Sequence, residues 1–573
     1  MRIGSCEFSL DGKDLKIENR VFSRTFYNVD DVSGKRVEGG LSLPYTELTL
    51  RYGSENLRCC LWDDIPVVYM PDFKGGRLTE LDGQHWMMRS ITLNAFTDDN
   101  DTLVTKSDYN MFEGSFFGEK RGEIFFFENP SDLSAVVVIT ENPDYCRASL
   151  RVDDGIITLD NGGYPVAVGY CKTGECETLC RDYYRHACAP GKLISMSNTW
   201  GDRNGSSRIC EKFILDEIQM GAKLGVDIVQ IDDGWQSGST ADLSLRDTRG
   251  RRIFNDDFWN INYDRFPNGI KFLADKAESL GMKLGLWFAP YTANGYEALE
   301  RDLQVLGKAY EQWGVRFFKL DMYWIESKKD AERFLEFLSR IYEFGNDVSV
   351  QLDITRNARI NYLCGRQYGN IFAENRYTGS ANYFPHRVLR NMWSIGHYIP
   401  TRKFQFEMVN PTLNVDKYGT DVFAPQNYSM DYLFATVMLS NPLFWMEMQF
   451  LPEEKAEELK RIVPVWKKYR DILSQADVVP IGNTPDGRYL TGFYVDVRDS
   501  DKGYLLLFNE VCSDDFGFID IPVCCDYVRI LAANSDAKVE TRDRRVYMCA
   551  EPRTYVFAEI GSLPKLKIEN IVK

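Results

Sequence analysis

The chain has 573 residues, of which 44% are hydrophobic and 27% charged, with a formal net charge of −16. That length exceeds what one hydrophobic core normally serves, so several domains are expected, and the composition is globular throughout. The acidic balance argues against nucleic acids and anionic membranes as partners, because both call for basic patches.

The opening Met1-Arg2-Ile3-Gly4-Ser5-Cys6-Glu7 leads into alternating polar and apolar residues, with neither a signal-peptide core nor a membrane span. A cytoplasmic protein is expected. The 14 cysteines include the adjacent pairs Cys59-Cys60 and Cys524-Cys525 but no C-x-x-C. That usage suits reduced, buried thiols better than a disulfide framework, with Cys171, Cys176, Cys180 and Cys188 as the one cluster. Four histidines without ligand spacing give no reason to expect a metal, and no phosphate loop suggests another cofactor.

From residue 1 to about 175 the chain is short alternating runs, such as 14–18 and 135–139, broken by Gly, Asp and Asn. Such runs predict a β-sandwich. A helical stretch over about 176–187 follows. From 194 to about 475 apolar runs alternate with amphipathic ones, and candidate strands fall at 194–200, 226–233, 282–289, 315–322, 347–354, 370–375, 403–408 and 443–448. Helical patterns lie between them, for example at 209–224, 270–280, 331–344 and 383–395. Eight strand–helix units predict a (β/α)8 TIM barrel rather than an open doubly wound sheet. The interval 236–267 is too long for an ordinary βα loop and has little helical periodicity, so it reads as an excursion at the barrel mouth. After Asp477 alternation returns, at 489–494, 503–508, 527–531 and 554–560. The expected division is an N-terminal β-sandwich with linker helix over 1–190, the barrel over 191–476, and a C-terminal antiparallel β domain over 477–573.

The organising stretch is Val315-Arg316-Phe317-Phe318-Lys319-Leu320-Asp321-Met322, an apolar run that ends in a Lys and an Asp where a strand should stop. In a β/α barrel such residues face the active-site mouth. The other strand ends agree. Asn198 and Trp200 end the first, Asp232, Asp233 and Trp235 the second, and Trp287 with Tyr291 the third. Asp353 and Arg356 end the fifth, and Glu374, Asn375 and Arg376 the sixth. Any one of these could be a turn, a core ring or a helix cap; their convergence on one mouth argues for function.

Carboxylates with indoles, and neither metal nor phosphate loop, suit sugar chemistry. Sugar faces lie on aromatic rings, and hydroxyls bond to Asp, Asn and Arg. Cleaving a glycosidic bond needs two carboxyl groups, about 5–5.5 Å apart for retention or about 6.5–9.5 Å for inversion. Lys319 shares a strand face with Asp321, and its charge is expected to keep Asp321 ionised, which favours Asp321 as nucleophile.

Ile231-Asp232-Asp233-Gly234-Trp235, Gly285-Leu286-Trp287-Phe288 and Phe318-Lys319-Leu320-Asp321-Met322 resemble the IDDGW-, GLWFEP- and KWDMN-type motifs of the α-galactosidase clan, glycoside hydrolase families 27 and 36. The order sandwich, barrel, small β domain resembles family 36. The resemblance implies Asp321 as nucleophile, Lys319 as a sugar-hydroxyl ligand, and Asp232 with Asp233 as the pair that grips the axial 4-OH and the 6-OH of galactose. It also implies an acid/base at Glu374, in Phe372-Ala373-Glu374-Asn375-Arg376-Tyr377-Thr378. Asp353 is the competitor for that role.

Two departures touch the sugar 2-position. Tyr323 replaces the Asn that follows the nucleophile, and Gln351-Leu352-Asp353-Ile354-Thr355-Arg356 replaces a Gly-rich segment. The expected activity is retaining hydrolysis of a terminal α-galactoside or galacto-configured sugar. Trp200, Trp235, Trp287, Tyr323, Asp353, Arg356 and Arg376 would join Lys319 and the Asp pair around the substrate. Alternatives are an α-N-acetylgalactosaminidase or a transglycosylase of the same clan, and a catalytically silent carbohydrate-binding protein. The expected partner is a small oligosaccharide or glycoside, with a homo-oligomer left open.

Overall fold

The computed structural model describes residues 2–561 except 4–5, 20–21, 39–42, 82–84, 95–101, 111–113, 117, 203–204, 252, 354–360, 374–375 and 512–515. Arg356 and Glu374 therefore lie outside the described residues.

Nine antiparallel strands between residues 31 and 172 form one sheet, with Ile124–Glu128, Ser134–Thr140 and Val166–Lys172 side by side near its middle. These read as unbroken apolar runs because both faces are covered. Val136 and Val138 share a core with Leu150, Ile157 and Leu159 of a facing four-stranded sheet. Ala135, Val137 and Ile139 point the other way, into the core that contains Cys176, Leu179 and Tyr183 of the helix Cys176–Ala187. Each fully buried Val or Ile contributes roughly 1.5–3 kcal/mol, so this strand alternation pins the linker helix to the sheet. A further four-stranded sheet over residues 2–26 adds Phe8, Leu15 and Ile17 to the outer core.

The central strands are β1 (Met196–Asn198), β2 (Ile228–Ile231), β3 (Lys283–Phe288), β4 (Phe317–Leu320), β5 (Ser349–Asp353), β6 (Asn370–Phe372), β7 (Phe404–Met408) and β8 (Asn441–Phe444). They close in sequence order into an all-parallel barrel. Every residue of β2, β4, β7 and β8 is buried, as a strand covered on both faces requires. All eight expected strands are present, and most are trimmed at their carboxyl ends, where the polar residues begin. Gly225 (φ 80°) and Gly314 (φ 76°) end the helices Glu211–Leu224 and Leu299–Trp313 in the left-handed conformation. Each turns the chain straight into the next strand, a geometry that a Cβ would strain.

The segment 236–267 is the expected excursion. A bridge between Gln236 and Ile261 closes it, and it packs Trp259 onto Phe288 (centroids 4.3 Å apart) and Trp235 (5.7 Å). Arg265 ties it down by donating to Ser206 O (2.8 Å) and Gly234 O (3.2 Å).

Beyond Asp477 five strands form one antiparallel sheet and three more, Phe516–Asp520, Ala537–Arg542 and Arg545–Ala550, form another. In Ala537–Arg542 the sequence pattern conceals the strand because the outward Lys538, Glu540 and Arg542 are charged and the inward Ala537, Val539 and Thr541 are only half buried. Arg366 binds the N-terminal sheets to the barrel: its guanidinium pairs with Glu141 (2.9 Å) and donates to the hydroxyls of Tyr69 (2.9 Å) and Tyr183 (3.2 Å). Among the described residues no helix is long and apolar enough to cross a membrane.

Candidate active site

Asp321 follows the last residue of β4, where the chain leaves the barrel wall. Its Oδ2 accepts from the Trp287 indole (3.0 Å) and its Oδ1 from the Met322 backbone N–H (2.5 Å). Met322 sits at φ 55°, an uncommon conformation for a side chain of that size, and this turn brings its N–H back onto the carboxylate. Trp287 is itself held: its carbonyl accepts from the Trp235 indole (2.9 Å), and Trp259 packs against both rings. A chain of indoles thus sets the rotamer of one half-buried carboxylate at the mouth.

Lys319 lies two residues earlier, on the inner face of β4. Its ammonium reaches Asp232 Oδ2 at the end of β2 (3.0 Å) and Asp353 Oδ2 at the end of β5 (3.3 Å). Burial alone would discharge this lysine, but the carboxylates of Asp232, Asp353 and Asp321 more than offset it and hold the ammonium above its ordinary range. Its direct partners are Asp232 and Asp353, and the expected charge interaction with Asp321 acts without a direct contact. The Trp445 ring, just past β8, lies 5.0 Å from the ammonium and the Phe372 ring 5.9 Å. Asp232 also accepts from Asn198 Nδ2 (2.7 Å) and from the Asp233 N–H (2.8 Å), and its own N–H donates to Thr199 (3.1 Å). Strands β1, β2, β4 and β5 thereby meet in one buried polar cluster.

The remaining expected residues divide. Asp233 accepts from Gln236 Nε2 (2.5 Å) and from the Thr240 hydroxyl, both on the excursion. Trp200 is half-buried, its N–H bonded to Asn198 Oδ1 (2.8 Å). Trp235 is fully buried between Trp259 and Trp313, so it supports Trp287 and offers no open face. Tyr323 is fully buried and stacked on Phe334 at 4.4 Å, which turns it towards the helix Lys328–Tyr342. Arg376 is buried, with its N–H on Glu407 Oε1 (3.2 Å) and its guanidinium on Asn382 O (3.3 Å).

Thr199, Gln236, Thr240, Glu407 and Trp445 do not stand out in the sequence. Glu407 and Trp445 stand at or just beyond the carboxyl ends of β7 and β8, and applying the strand-end rule to those two strands would have found them. Thr199, Gln236 and Thr240 act through other side chains, and only folding shows that. Among the described residues no group of three His, Cys, Asp or Glu is placed to hold a metal ion.

Residues 196–302 match the family model described as Melibiase. Mouse (Mus musculus) α-N-acetylgalactosaminidase is 32% identical over 129 residues, covering 22% of this chain and 28% of that protein. The match thus spans little more than a quarter of the relative's length. The likeness in structure is far broader. Family 36 α-galactosidase AgaB from Geobacillus stearothermophilus superposes with a TM-score of 0.67 at 12% identity, covering 94% of this chain and 87% of that one. A variant of α-galactosidase AgaA from the same organism, solved with raffinose, gives 0.65 at 12% identity over 98% and 90% of the two chains. The three motifs stand on the successive strands β2, β3 and β4, residues 196–302 are similar to the Melibiase family, and the order of sheets, barrel and sheets is the fold of the family 36 α-galactosidases.

Proposed function

We propose that this protein is a retaining glycoside hydrolase that removes a terminal α-linked galactose, or a galacto-configured sugar, from a small oligosaccharide or glycoside. The observation that carries the reading is Asp321: a carboxylate at the barrel mouth with both oxygens anchored, beside a buried Lys319–Asp232–Asp353 cluster. An anchored carboxylate is preorganised to attack the anomeric carbon, form a glycosyl ester and release it to water.

Glu374 is assigned as the group that protonates the leaving oxygen and then takes the proton from water. Support for it over Asp353 comes from the ammonium 3.3 Å from Asp353, which favours a carboxylate there, whereas an acid must carry its proton near neutrality. Asp232, gripped by Lys319 and Asn198, and Asp233, held by Gln236, are the pair that takes the axial 4-OH and the 6-OH. The raffinose bound by the AgaA variant supports an oligosaccharide substrate, and the cysteine usage supports a cytoplasmic location.

An activated fluoro-α-galactoside tests the reading by mass spectrometry. One glycosyl unit should accumulate per chain on the peptide that contains Asp321, and Asp321→Ala should remove both the adduct and turnover. An adduct on another carboxylate would move the nucleophile, and active enzyme that traps nothing would exclude the covalent route. The mouse relative makes N-acetylgalactosamine the second sugar to test, in a screen of aryl α-glycosides.

A further inference from the structure

A cleft of about 600 Å³ opens among the N-terminal sheets, lined only by residues between Thr25 and Tyr170, so the barrel has no part in it. Its volume falls within the range of small-molecule sites, roughly 300–1,000 Å³. Tyr27, Tyr52, Phe73 and Tyr170 supply aromatic walls, and Asn28 and Asn56 supply amides. The Tyr27 ring is half exposed, and the Arg77 guanidinium lies 5.6 Å from its centre on one side.

The charges around this cleft are internally matched. Asp72 is bonded to Arg58 (2.9 Å), Glu55 faces Lys74 (3.6 Å), and Glu80 pairs with Arg77. Among the described residues that line it, no uncompensated charge is left to select an ion. A ligand suited to such a place is neutral, has apolar faces for the rings, and has hydroxyls for amides and paired carboxylates. A saccharide has all three properties.

We propose that this cleft is a second, non-catalytic binding site for a neutral oligosaccharide of the class processed at the barrel. The match to that class rests on the glycosidase reading, while the ring-and-amide chemistry of the cleft stands without it.

The test uses the full chain with the barrel site filled by saturating 1-deoxygalactonojirimycin and raffinose as the probe, read by saturation-transfer difference NMR. Raffinose signal should persist in the wild type and weaken about tenfold in Tyr27→Ala, the equivalent of one lost ring contact, and about fivefold in Asn56→Ala, the equivalent of one lost hydrogen bond. Both side chains reach solvent, and unchanged hydrolysis of an aryl α-galactoside would show that the variants are folded. No residual signal in the wild type, or a signal that survives both substitutions, would overturn the proposal. A Tyr27-dependent signal in a chain that hydrolyses no α-galactoside would sustain the cleft and remove the barrel reading instead.

Discussion

The Trp287 indole donates to Asp321 Oδ2 across 3.0 Å, from β3 to the end of β4, and its own position is fixed by a second indole, Trp235. Trp287→Phe keeps an aromatic ring in the pocket and removes the N–H together with part of the indole. We expect kcat on an aryl α-galactoside to fall by about tenfold to a hundredfold with KM nearly unchanged, the mark of a group that orients the reacting atom. Stopped-flow and steady-state rates check this. An effect confined to KM would make Trp287 a sugar platform instead.

Assignment of the acid/base predicts a leaving-group split. Glu374→Gln should cripple turnover of raffinose-type substrates, whose leaving oxygen needs a proton, far more than that of aryl substrates with activated leaving groups. Glycosyl-enzyme should accumulate, and added azide should restore turnover as a β-galactosyl azide. Asp353→Asn removes one partner of the buried Lys319, so it should raise KM and lower stability without azide rescue. Rescue in Asp353→Asn and none in Glu374→Gln would exchange the two roles.

The barrel is legible in the sequence because fully buried parallel strands leave continuous apolar runs, and because a Lys or Asp closing such a run is costly to bury anywhere except a polar barrel mouth. Lys319 and Asp321 are the clearest case. Direction within the mouth is what a linear pattern does not carry. Trp235 and Tyr323 have the composition of sugar platforms, yet they turn onto Trp259 and Phe334, since a large ring near a strand end lowers its free energy by packing wherever a partner ring is available. The linear pattern likewise does not carry the direct partners of Lys319, which come from the ends of β2 and β5, 87 residues upstream in the case of Asp232.

The seam between the N-terminal sheets and the barrel rests on an ion pair with little access to water. Arg366 is 6% exposed and Glu141 2%, so neither charge can be rescued by solvent if the other is removed. Arg366→Met is expected to destabilise the fold by about 3–5 kcal/mol, because it strands a buried carboxyl. The double variant Arg366→Met with Glu141→Leu should recover much of that loss, as an apolar pair can replace a buried ion pair at little cost. Urea denaturation of the two singles and the double measures the coupling. Additive losses would mean that Tyr69 and Tyr183, not Glu141, account for what Arg366 does.

Stability should also fall with rising pH, for a reason that lies behind β8. Glu217, fully buried in the helix Glu211–Leu224, accepts from the N–H groups of Met448 (3.0 Å) and Gln449 (2.9 Å) and so holds the loop that follows Trp445. Burial pushes its carboxyl up to about 7 from an ordinary 4.5, against the pull of those two donors. Between these values the folded chain keeps a proton that the unfolded chain releases. The resulting stabilisation, on the order of 3 kcal/mol, is complete below pH about 4.5, is lost as pH rises, and levels off above about 7. Asp202, which accepts from the Glu447 N–H at 2.9 Å, is likewise pushed by burial to about 7 and adds to the same trend. Glu217→Gln is neutral at every pH but gives up one of the two N–H partners, because its Nε2 cannot accept. Its melting temperature should therefore lie below that of the wild type at pH 5 but fall less steeply towards pH 8, as followed by scanning calorimetry. A variant whose melting temperature declines in parallel with the wild type would show that Glu217 stays ionised across the range and that its two N–H partners outweigh its burial.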